Sequence, residues 1–270
     1  MLVKIPNFNI NMKNTLILFL CMCLLGACSQ GRESLNTAGN SPMSPSELIM
    51  IARESADRAL NAKKDSEQEN WALHGISVAE QCMMRAPEEP WCYYYRAINT
   101  GLYHEVKIIG YQTGIKRMIE DCENVIKFDP KYDHGGAYRI LGQLYTKLPQ
   151  TVGRPDSITR DLDKAEQYLK QALKIDPEYP ENQIFLAETL LAKGSLGEAL
   201  SALTQAKGLT RLWSKQKEYS SWQFAMNDLE IKIKKASEEL SQISQKIGSQ
   251  MYQQTQQAQQ EQQPKQEEKK

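Results

Sequence analysis

Three prolines end helix-like segments at nearly regular intervals, and this regularity limits the possible folds more than any other feature of the chain. The segments finish at Pro87, Pro130 and Pro177, and the prolines are 43 and then 47 residues apart. A proline cannot extend a helix, because it lacks the amide hydrogen and its ring clashes with the preceding turn. The spacing therefore predicts a repeated helical unit that one of these prolines closes each time.

The clearest unit begins within the stretch YDHGGAYRILGQLYTKLPQTVGRP, residues 132–155. Its Tyr138-x2-Leu141-Gly142-x2-Tyr145 spacing matches W-x2-L-G-x2-Y, the first-helix pattern of a tetratricopeptide unit, with tyrosine in place of tryptophan. Such a unit is a pair of antiparallel helices with proline after the second helix. In this frame Leu141 and Tyr145 belong to the core, and Gly142 is a close-packing position. Further small and apolar positions of the same pattern are Tyr94, Ala97, Gly101, Met118, Cys122, Val125, Ala165, Leu169, Ala172, Leu186, Ala187, Leu190, Ala199, Leu203 and Ala206.

Two insertions interrupt this pattern inside the helical hairpins. Twenty residues separate Tyr145 from Ala165, where about nine are usual in this repeat. A second excess lies near YHEVKIIGYQTG, residues 103–114. Both are predicted to emerge on one edge of the solenoid, where binding loops are common. The predicted fold is all-α: a TPR-like solenoid of antiparallel helical hairpins over 44–210, with insertions inside the hairpins and a long C-terminal helix.

The two ends of this body carry signals of their own. The sequence SPSE at residues 44–47 is a capping box with proline at the first helical position, so it predicts a helix start. Over 222–247 the apolar residues recur in steps of four and three, which is a heptad seam. This predicts a C-terminal helix over 211–252 that either covers the end of the solenoid or pairs as a coiled coil. Residues 253–270 are rich in glutamine and lysine and are predicted to be disordered.

The first 27 residues have the features of a secretion signal. An apolar run, NTLILFLCMCLLGA, is too short for a comfortable membrane span. It leads into Leu-Gly-Ala-Cys at 25–28, which resembles the bacterial lipoprotein signal, in which the cysteine is acylated and becomes the mature N-terminus. An ordinary signal peptide cleaved nearby is the alternative, and either Met1 or Met12 is the start. Residues 28–43 are polar and small and are predicted to form a flexible tether.

Acylation at Cys28 implies attachment to a lipid bilayer, which two or three acyl chains hold stably where one chain is marginal. Ser29 follows the cysteine, where an aspartate is absent. This resembles the pattern that sorts Gram-negative lipoproteins to the outer membrane. The predicted location is therefore the periplasmic face of the outer membrane, with anchoring in the inner membrane as the open alternative.

The cysteines that follow the signal are interpreted for an oxidising compartment. Cys82 and Cys92 lie five residues on either side of Pro87. Residues equally far from a helix–helix turn face each other, so these two are predicted to form a disulfide. Cys122 occupies an apolar core position and is predicted to be a buried free thiol. The rival pairing joins Cys82 to Cys122.

Motifs for catalysis, cofactors and metals are incomplete in this sequence. The glycines at 135, 136 and 142 are not followed by the Gly-Lys-Ser/Thr of a phosphate loop. His104-Glu105 begins a zinc-protease motif, but a second histidine one turn later is missing. Lysine plus arginine and aspartate plus glutamate both number 33, so no basic field favours nucleic acid. The sequence predicts a protein that is not an enzyme, with no cofactor and no metal.

Four segments of the repeat body together resemble a known family. They are CYYYRAINTGLY at 92–103, DHGGAYRILGQLYTKLP at 133–149, GRPDS at 153–157 and PENQIFLAETLLAKG at 180–194. The region from about 71 to 225 resembles the TatT family, tetratricopeptide lipoproteins linked to TRAP-type (tripartite, ATP-independent) uptake systems. The resemblance implies a helical body with a groove or pore and a periplasmic solute-binding protein as partner. It also implies assembly into a trimer and a small amphipathic ligand.

Tyrosines and arginines of the repeat body are candidates for a ligand groove, because arginine binds carboxylates bidentately and aromatic side chains line ligand cavities. The chain is thus predicted to be a lipid-anchored periplasmic scaffold accessory to a TRAP-type system. Two alternatives are a generic envelope assembly scaffold that binds protein only and a structural lipoprotein that self-associates. The groove candidates are Tyr94, Arg96, Tyr138, Arg139, Tyr145 and Arg154.

Overall fold

The computed structural model describes residues 43–150 and 155–261, with side chains as far as residue 254. Within those ranges the chain forms nine α-helices and one 3-10 turn, and no strand. The predictions for the signal peptide, for lipidation at Cys28, for most of the tether and for Arg154 lie outside the described residues. The helices are α1 (Pro45–Leu60), α2 (Asp65–Arg85), α3 (Pro90–Val106), α4 (Tyr111–Phe128), α5 (Tyr132–Lys147), α6 (Leu162–Ile175), α7 (Pro180–Lys193), α8 (Leu196–Thr210) and α9 (Tyr219–Glu261).

The helix boundaries follow the local sequence signals. Ser44 accepts a hydrogen bond from the Glu47 amide at 3.3 Å, while the Glu47 carboxylate accepts one from the Ser44 amide at 2.7 Å, so the capping box is complete. Pro45, Pro90 and Pro180 occupy the first position of α1, α3 and α7, where the missing amide hydrogen has no cost. The three closing prolines each follow the end of α2, α4 or α6 by two residues.

The helices pack as a solenoid of antiparallel hairpins, as predicted. The pairs α1–α2, α3–α4, α5–α6 and α7–α8 form the hairpins, and the first helices of successive hairpins contact one another from α1 to α7. The helix α9 packs on α7 and α8, in the place of a further first helix. The odd-numbered helices therefore form one layer, which we call the inner face.

Glycines permit the closest helix crossings. A Cβ atom at Gly142 would lie 2.5 Å from Cγ of Leu169 on α6, and one at Gly75 would lie 2.2 Å from Oδ1 of Asn99 on α3. Contacts this short do not occur for a real Cβ, so a larger residue at either position would force the buried Leu169 or Asn99 side chain to shift. Gly142 therefore has the packing role that the repeat pattern predicted.

The two insertions meet on one edge of the solenoid, in agreement with the sequence prediction. The side chain of Gln112, at the start of α4, donates to the Ile158 carbonyl at 3.0 Å and accepts from the Ile158 amide at 2.9 Å. The backbone of the second insertion also returns to α5, since the Asp161 amide donates to the Tyr145 carbonyl at 3.1 Å. A side chain of the first insertion therefore forms hydrogen bonds with both the amide and the carbonyl of one residue in the second insertion.

The cysteines adopt the predicted arrangement in the structure. Cys82 at the end of α2 is bonded to Cys92 at the start of α3, with the Cα atoms 5.6 Å apart. Cys122 is a buried free thiol on α4, and burial raises the pKa of this thiol well above its ordinary value.

The C-terminal helix differs from its prediction at both ends. It begins at Tyr219, after a 3-10 turn at Arg211–Trp213, rather than near 211. It continues to Glu261, so the predicted disorder is wrong for residues 253–261. Glutamine is a good helix former, and the preceding turns have already nucleated the helix, so propensity carries it beyond the heptad seam.

Candidate functional site

The inner face contains a cavity of about 190 Å³, which we call the concave pocket. Its walls come from α1, α3 and α5, from the residue before α7, and from the segment that leads into α9. Distant parts of the chain therefore converge on one site. The lining residues are Arg53, Asp57, Tyr94, Tyr95, Asp133, His134, Tyr179, Trp213, Gln216, Lys217, Glu218 and Trp222.

A buried guanidinium organises the floor of the concave pocket. Arg139 is 3% exposed, and its Nη2 lies 2.5 Å from Oδ2 of Asp133, while its Nε lies 3.2 Å from Oε2 of the fully buried Glu181. Burial by itself lowers the pKa of Arg139, but the charges of Asp133 and Glu181 outweigh it and raise that pKa above the ordinary value. The guanidinium is therefore a permanent cation held between two carboxylates.

The backbone turns left-handed at the start of α5, beside this guanidinium. Asp133, His134 and Gly135 have φ angles of 49°, 59° and 79°, a region that non-glycine residues seldom occupy. Nη1 of Arg139 donates to the carbonyls of Asp133 and His134 at 2.7 and 3.1 Å, which holds the turn in place. The neighbouring Gly136 allows close approach of the Tyr94 hydroxyl, which would lie 2.6 Å from a Cβ at that position. The left-handed turn thus directs Asp133 and His134 into the pocket.

A hydrogen-bonded carboxylate links α5 to α3 in the pocket wall. The Tyr94 hydroxyl donates to Oδ2 of Asp133 at 2.5 Å. Burial raises the pKa of the Asp133 carboxyl, but Arg139 and the Tyr94 hydroxyl together hold it below its ordinary value. Burial, with a contribution from Asp133, raises the pKa of Tyr94 well above its usual range. At neutral pH the site therefore holds an ionised aspartate and a protonated tyrosine.

Aromatic rings form the opposite wall of the concave pocket. The His134 ring stacks on Tyr179 at a centroid distance of 4.2 Å and an interplanar angle of 5°. Trp213 contacts both rings edge-on at 5.4 Å, and Trp222 contacts Tyr179 edge-on at 5.5 Å. Nδ1 of His134 is 2.6 Å from Oδ2 of Asp176, which fixes the orientation of the imidazole.

The rim of the concave pocket joins the two ends of the repeat body. Nζ of Lys217, in the segment before α9, lies 2.9 Å from Oδ2 of Asp57 on α1. Arg53, one turn earlier on α1, is exposed and lines the same opening. Burial raises the pKa of the nearby Tyr95 to about 12, although the charge of Arg53 lowers it. The rim therefore presents cations beside protonated phenols.

The structure separates the groove candidates that the sequence proposed. Tyr94 lines the concave pocket, and Arg139 lies directly beneath it. Arg96 instead binds Asp121 of α4 at 2.6 Å, away from this site. The ring of Tyr138 lies 6.4 Å from that of Tyr168 on α6. Tyr145 is buried beneath the second insertion.

Tyr145 belongs to a second, shallower depression on the insertion edge. Its hydroxyl accepts a hydrogen bond from Nζ of Lys164 at 2.8 Å, and its ring stacks near Tyr168 at 6.0 Å. This depression has a volume of about 750 Å³ and is open to solvent. The described candidates are therefore not gathered in one groove: Tyr94 and Arg139 belong to the concave pocket, and Tyr145 belongs to this depression.

Sequence reasoning missed several residues of the concave pocket. Asp133 and His134 lie in the stretch 132–155 but were not among the groove candidates, because a left-handed turn with only one glycine has no strong sequence signal. Trp213 and Trp222 were not among the predicted groove candidates, and their rings lie edge-on to each other at 6.4 Å. The pocket that they line reaches α1, where Lys217 contacts Asp57 across 160 residues of sequence, and local patterns cannot reveal such a contact.

The polar groups of the concave pocket are held by partners within the protein. Among the described residues, no three His, Cys, Asp or Glu side chains are grouped to hold a metal ion. The imidazole of His134 and the Asp133 carboxylate have fixed structural partners within the protein. The pocket is a small polar and aromatic recess.

Comparison with known proteins identifies a repeat within this fold. The sequence model of the family described as "Tetratricopeptide repeat" matches residues 159–212, so the chain contains a tetratricopeptide repeat there. The match covers α6, α7 and α8. No curated protein matches the chain significantly, and none of the helices in the described ranges combines the length and apolarity that crossing a membrane requires.

Two solved structures show a looser likeness to this chain. One is TTC0263, a thermophilic TPR protein of Thermus thermophilus, with 17% identity, a TM-score of 0.43, and coverage of 68% of this chain and 98% of that chain. The other is a MamA RS-1 ArsTM double mutant, with 16% identity, a TM-score of 0.40, and coverage of 76% and 97%. At these scores neither structure supports a conclusion about function.

Proposed function

We propose that this chain is a non-enzymatic scaffold that binds a partner protein along its inner face, with one side chain of the partner in the concave pocket. The observation that carries the proposal is the convergence of α1, α3, α5 and the α9 approach on that pocket. Tetratricopeptide solenoids present extended concave surfaces formed by successive repeats, and the pocket lies on the corresponding layer of this chain.

The size of the concave pocket favours a protein segment over a small molecule. Ligand pockets usually enclose roughly 300–1,000 Å³, whereas this one encloses about 190 Å³. That volume suits a single side chain. The rings of Tyr179 and Trp213 provide an apolar wall and Arg53 provides a charged rim, so an amphipathic side chain with a polar end fits best. The small amphipathic ligand implied by the family resemblance therefore has less support than the protein partner.

Site-specific photocrosslinking in the native envelope tests this proposal. A photoreactive amino acid at position 53, on the rim, is expected to capture a partner protein that mass spectrometry then identifies. Lys116 is the matched control, because it is an exposed cation on α4, in the other helix layer. Equal crosslinking at positions 53 and 116 would contradict binding at the inner face.

The identity of the captured protein decides between the finer alternatives. We propose a periplasmic solute-binding protein of a TRAP-type uptake system, on the basis of the TatT-like segments such as residues 92–103 and 180–194. Capture of an envelope assembly component instead would favour the generic scaffold and rule against the transport role. A strain that lacks the protein is expected to lose uptake of the solute that the captured binding protein carries.

We also propose that Cys28 is acylated and that the protein lies on the periplasmic face of the outer membrane. The support is the Leu-Gly-Ala-Cys sequence at 25–28 with Ser29 after it. Mass spectrometry of the mature N-terminus is expected to find a lipid-modified cysteine, and Cys28→Ser is expected to release the protein from the membrane fraction. An unmodified N-terminus at another residue would support the ordinary signal peptide instead.

A further inference from the structure

The helix α9 changes its environment halfway along its length. Trp222, Met226, Leu229 and Ile233 are buried against the repeat body. From Ser237 to the last described side chain every residue is exposed. At 1.5 Å per residue, the part beyond Ile233 extends about 42 Å. We call the part of α9 beyond Ile233 the projecting segment.

The heptad seam nevertheless continues along the projecting segment. Leu240, Ile243 and Ile247 occupy the same seam positions as the buried residues before them, yet they are 56%, 56% and 51% exposed. Apolar area in water costs roughly 25 cal/mol per Å², and a regular seam is the arrangement that a second helix covers. The seam is therefore one continuous interface, of which the repeat body covers only the first half.

We infer that the projecting segment pairs with the same segment of a second copy of the chain, in antiparallel orientation. In this register Leu240 faces Ile243 of the second copy, and Ile247 faces Ala236 of the second copy. Two-fold symmetry repeats each contact, so four apolar layers are buried. The pairing involves no residue of the concave pocket and does not depend on the proposed function.

The flanking charges favour this orientation. Glu239 and Lys246 both lie at the same flank of the seam, the position from which charges select the orientation of a partner helix. Antiparallel pairing places Glu239 of each copy opposite Lys246 of the other copy. Parallel pairing places them opposite Ser244 and Met251 of the second copy, which carry no charge. Within its own helix Glu239 has only the distant Lys235, at 3.9 Å.

The length of the apolar seam fits the same register. The seam ends at Ile247, and the next two seam positions are Gln250 and Gln254. In the antiparallel pair Gln250 lies opposite Ile233 of the second copy, where the second repeat body begins. The apolar layers therefore fill the free helix between the two bodies, about 25 Å. The polar residues beyond it are free to diverge from the second body.

Sedimentation velocity tests the pairing. The chain from Ser29 onward retains every described residue and is expected to double in mass as its concentration rises to about 200 µM, because an interface this short is weak. Leu240→Ser combined with Ile247→Ser is expected to abolish the dimer. At a concentration where the wild type is monomeric the thermal midpoint stays unchanged, because both side chains are exposed in the single chain. A wild-type monomer throughout, or a dimer that survives both substitutions, overturns the inference.

Charge exchange tests the orientation. Glu239→Lys and Lys246→Glu each place like charges together in the antiparallel pair, and each is expected to weaken dimerisation roughly fivefold. An equimolar mixture of the two variants restores opposite charges at both contacts and is expected to dimerise like the wild type. Glu238→Lys makes the same charge change away from the seam and is the matched control. Weakening without restoration in the mixture rules out the antiparallel register.

Cysteine crosslinking supplies a second readout of orientation. Ser237 and Ser244 lie on the other flank of the seam and face each other between antiparallel copies. The Ser237→Cys and Ser244→Cys double variant is therefore expected to form a covalent dimer on oxidation. Ile243→Cys crosslinks only if the helices are parallel, because equivalent residues then face each other. Crosslinking by Ile243→Cys and not by the double variant contradicts the antiparallel pair.

Discussion

At the scale of single residues, Arg139 determines how the concave pocket is built. It binds carboxylates on α5 and α7 and the carbonyls of a left-handed turn, although it is almost fully buried. A buried charge is stable only when its partners satisfy it, and removing one partner leaves the others uncompensated. The residue that orients the pocket is thus also a residue on which folding depends.

Substitution of Arg139 is therefore expected to be severe. Arg139→Met removes the cation and leaves the fully buried Glu181 without this partner, at a cost of about 3–5 kcal/mol in the free energy of unfolding. Urea unfolding followed by circular dichroism measures the loss. Arg58→Met is the control, because Arg58 forms an exposed pair with Glu54 and should cost less than about 1 kcal/mol. Equal costs would show that Arg139 has no special structural role.

The ionised Asp133 gives a testable dependence on pH. Its folded-state pKa lies below the ordinary value, so the unfolded state binds more protons in acid. The carboxylate then adds stability above the unfolded pKa of about 3.9, and this stability is lost as pH falls through the folded pKa. Wild-type protein is expected to lose more unfolding free energy between about pH 5 and pH 3 than Asp133→Asn does. Parallel pH profiles for the two proteins would contradict the assignment.

The disulfide between Cys82 and Cys92 should contribute measurable stability. Closing a loop of this length lowers the entropy of the unfolded chain and stabilises the fold by about 2–3 kcal/mol. Replacing both cysteines by alanine is expected to lower the unfolding free energy by that amount. Peptide mapping under non-reducing conditions identifies the pair directly, and a Cys82–Cys122 peptide would establish the rival bridge.

Several of these residue roles were accessible from sequence and others were not. Gly142 was identifiable because a repeat pattern fixes where helices cross, and Cys82 and Cys92 because their distances from a turn are equal. Asp133 and His134 were not, since their left-handed conformation depends on Arg139 from the next turn and on packing against α7.

At the scale of secondary structure elements, the prolines made the ends of three helices predictable. Each of α2, α4 and α6 ends two residues before a proline, because proline disfavours the helical conformation of the residue that precedes it. The end of α9 had no such signal. The helix continues through glutamines that were predicted to be disordered. Their helix propensity favours a helix, whereas the low complexity of the segment indicates disorder.

The contact between the two insertions gives a prediction at this scale. Gln112→Ala removes both hydrogen bonds to the Ile158 backbone, and each is worth about 1 kcal/mol. Amide exchange over residues 155–161 is expected to accelerate roughly tenfold or more, while exchange in α1 stays unchanged. The neighbouring Thr113→Ala is the control, because that side chain is exposed. Unchanged exchange over 155–161 would mean that the insertions are held independently.

At the scale of the whole molecule, the structure joins the two ends of the repeat body. Lys217 reaches Asp57 on the first helix, and Trp222 lies in the core with Tyr179. The hairpins themselves follow from local patterns, because each unit contacts mainly its neighbours. The concave pocket does not, because its walls come from α1, α3, α5 and the segment that leads into α9.

The two halves of α9 should have separable effects on the whole molecule. A solenoid needs a terminal element to cover its last hydrophobic surface, and Trp222, Met226, Leu229 and Ile233 provide that cover. A chain that ends at Ala236 is therefore expected to keep the wild-type thermal midpoint. A chain that ends at Glu218 uncovers α7 and α8 and is expected to unfold at a midpoint at least about 10 °C lower, since losing a single buried Trp side chain costs about 3–5 kcal/mol. Differential scanning calorimetry measures both midpoints. If the shorter chain is as stable as the longer one, α9 is not a cap, and its buried seam has to be explained by another role.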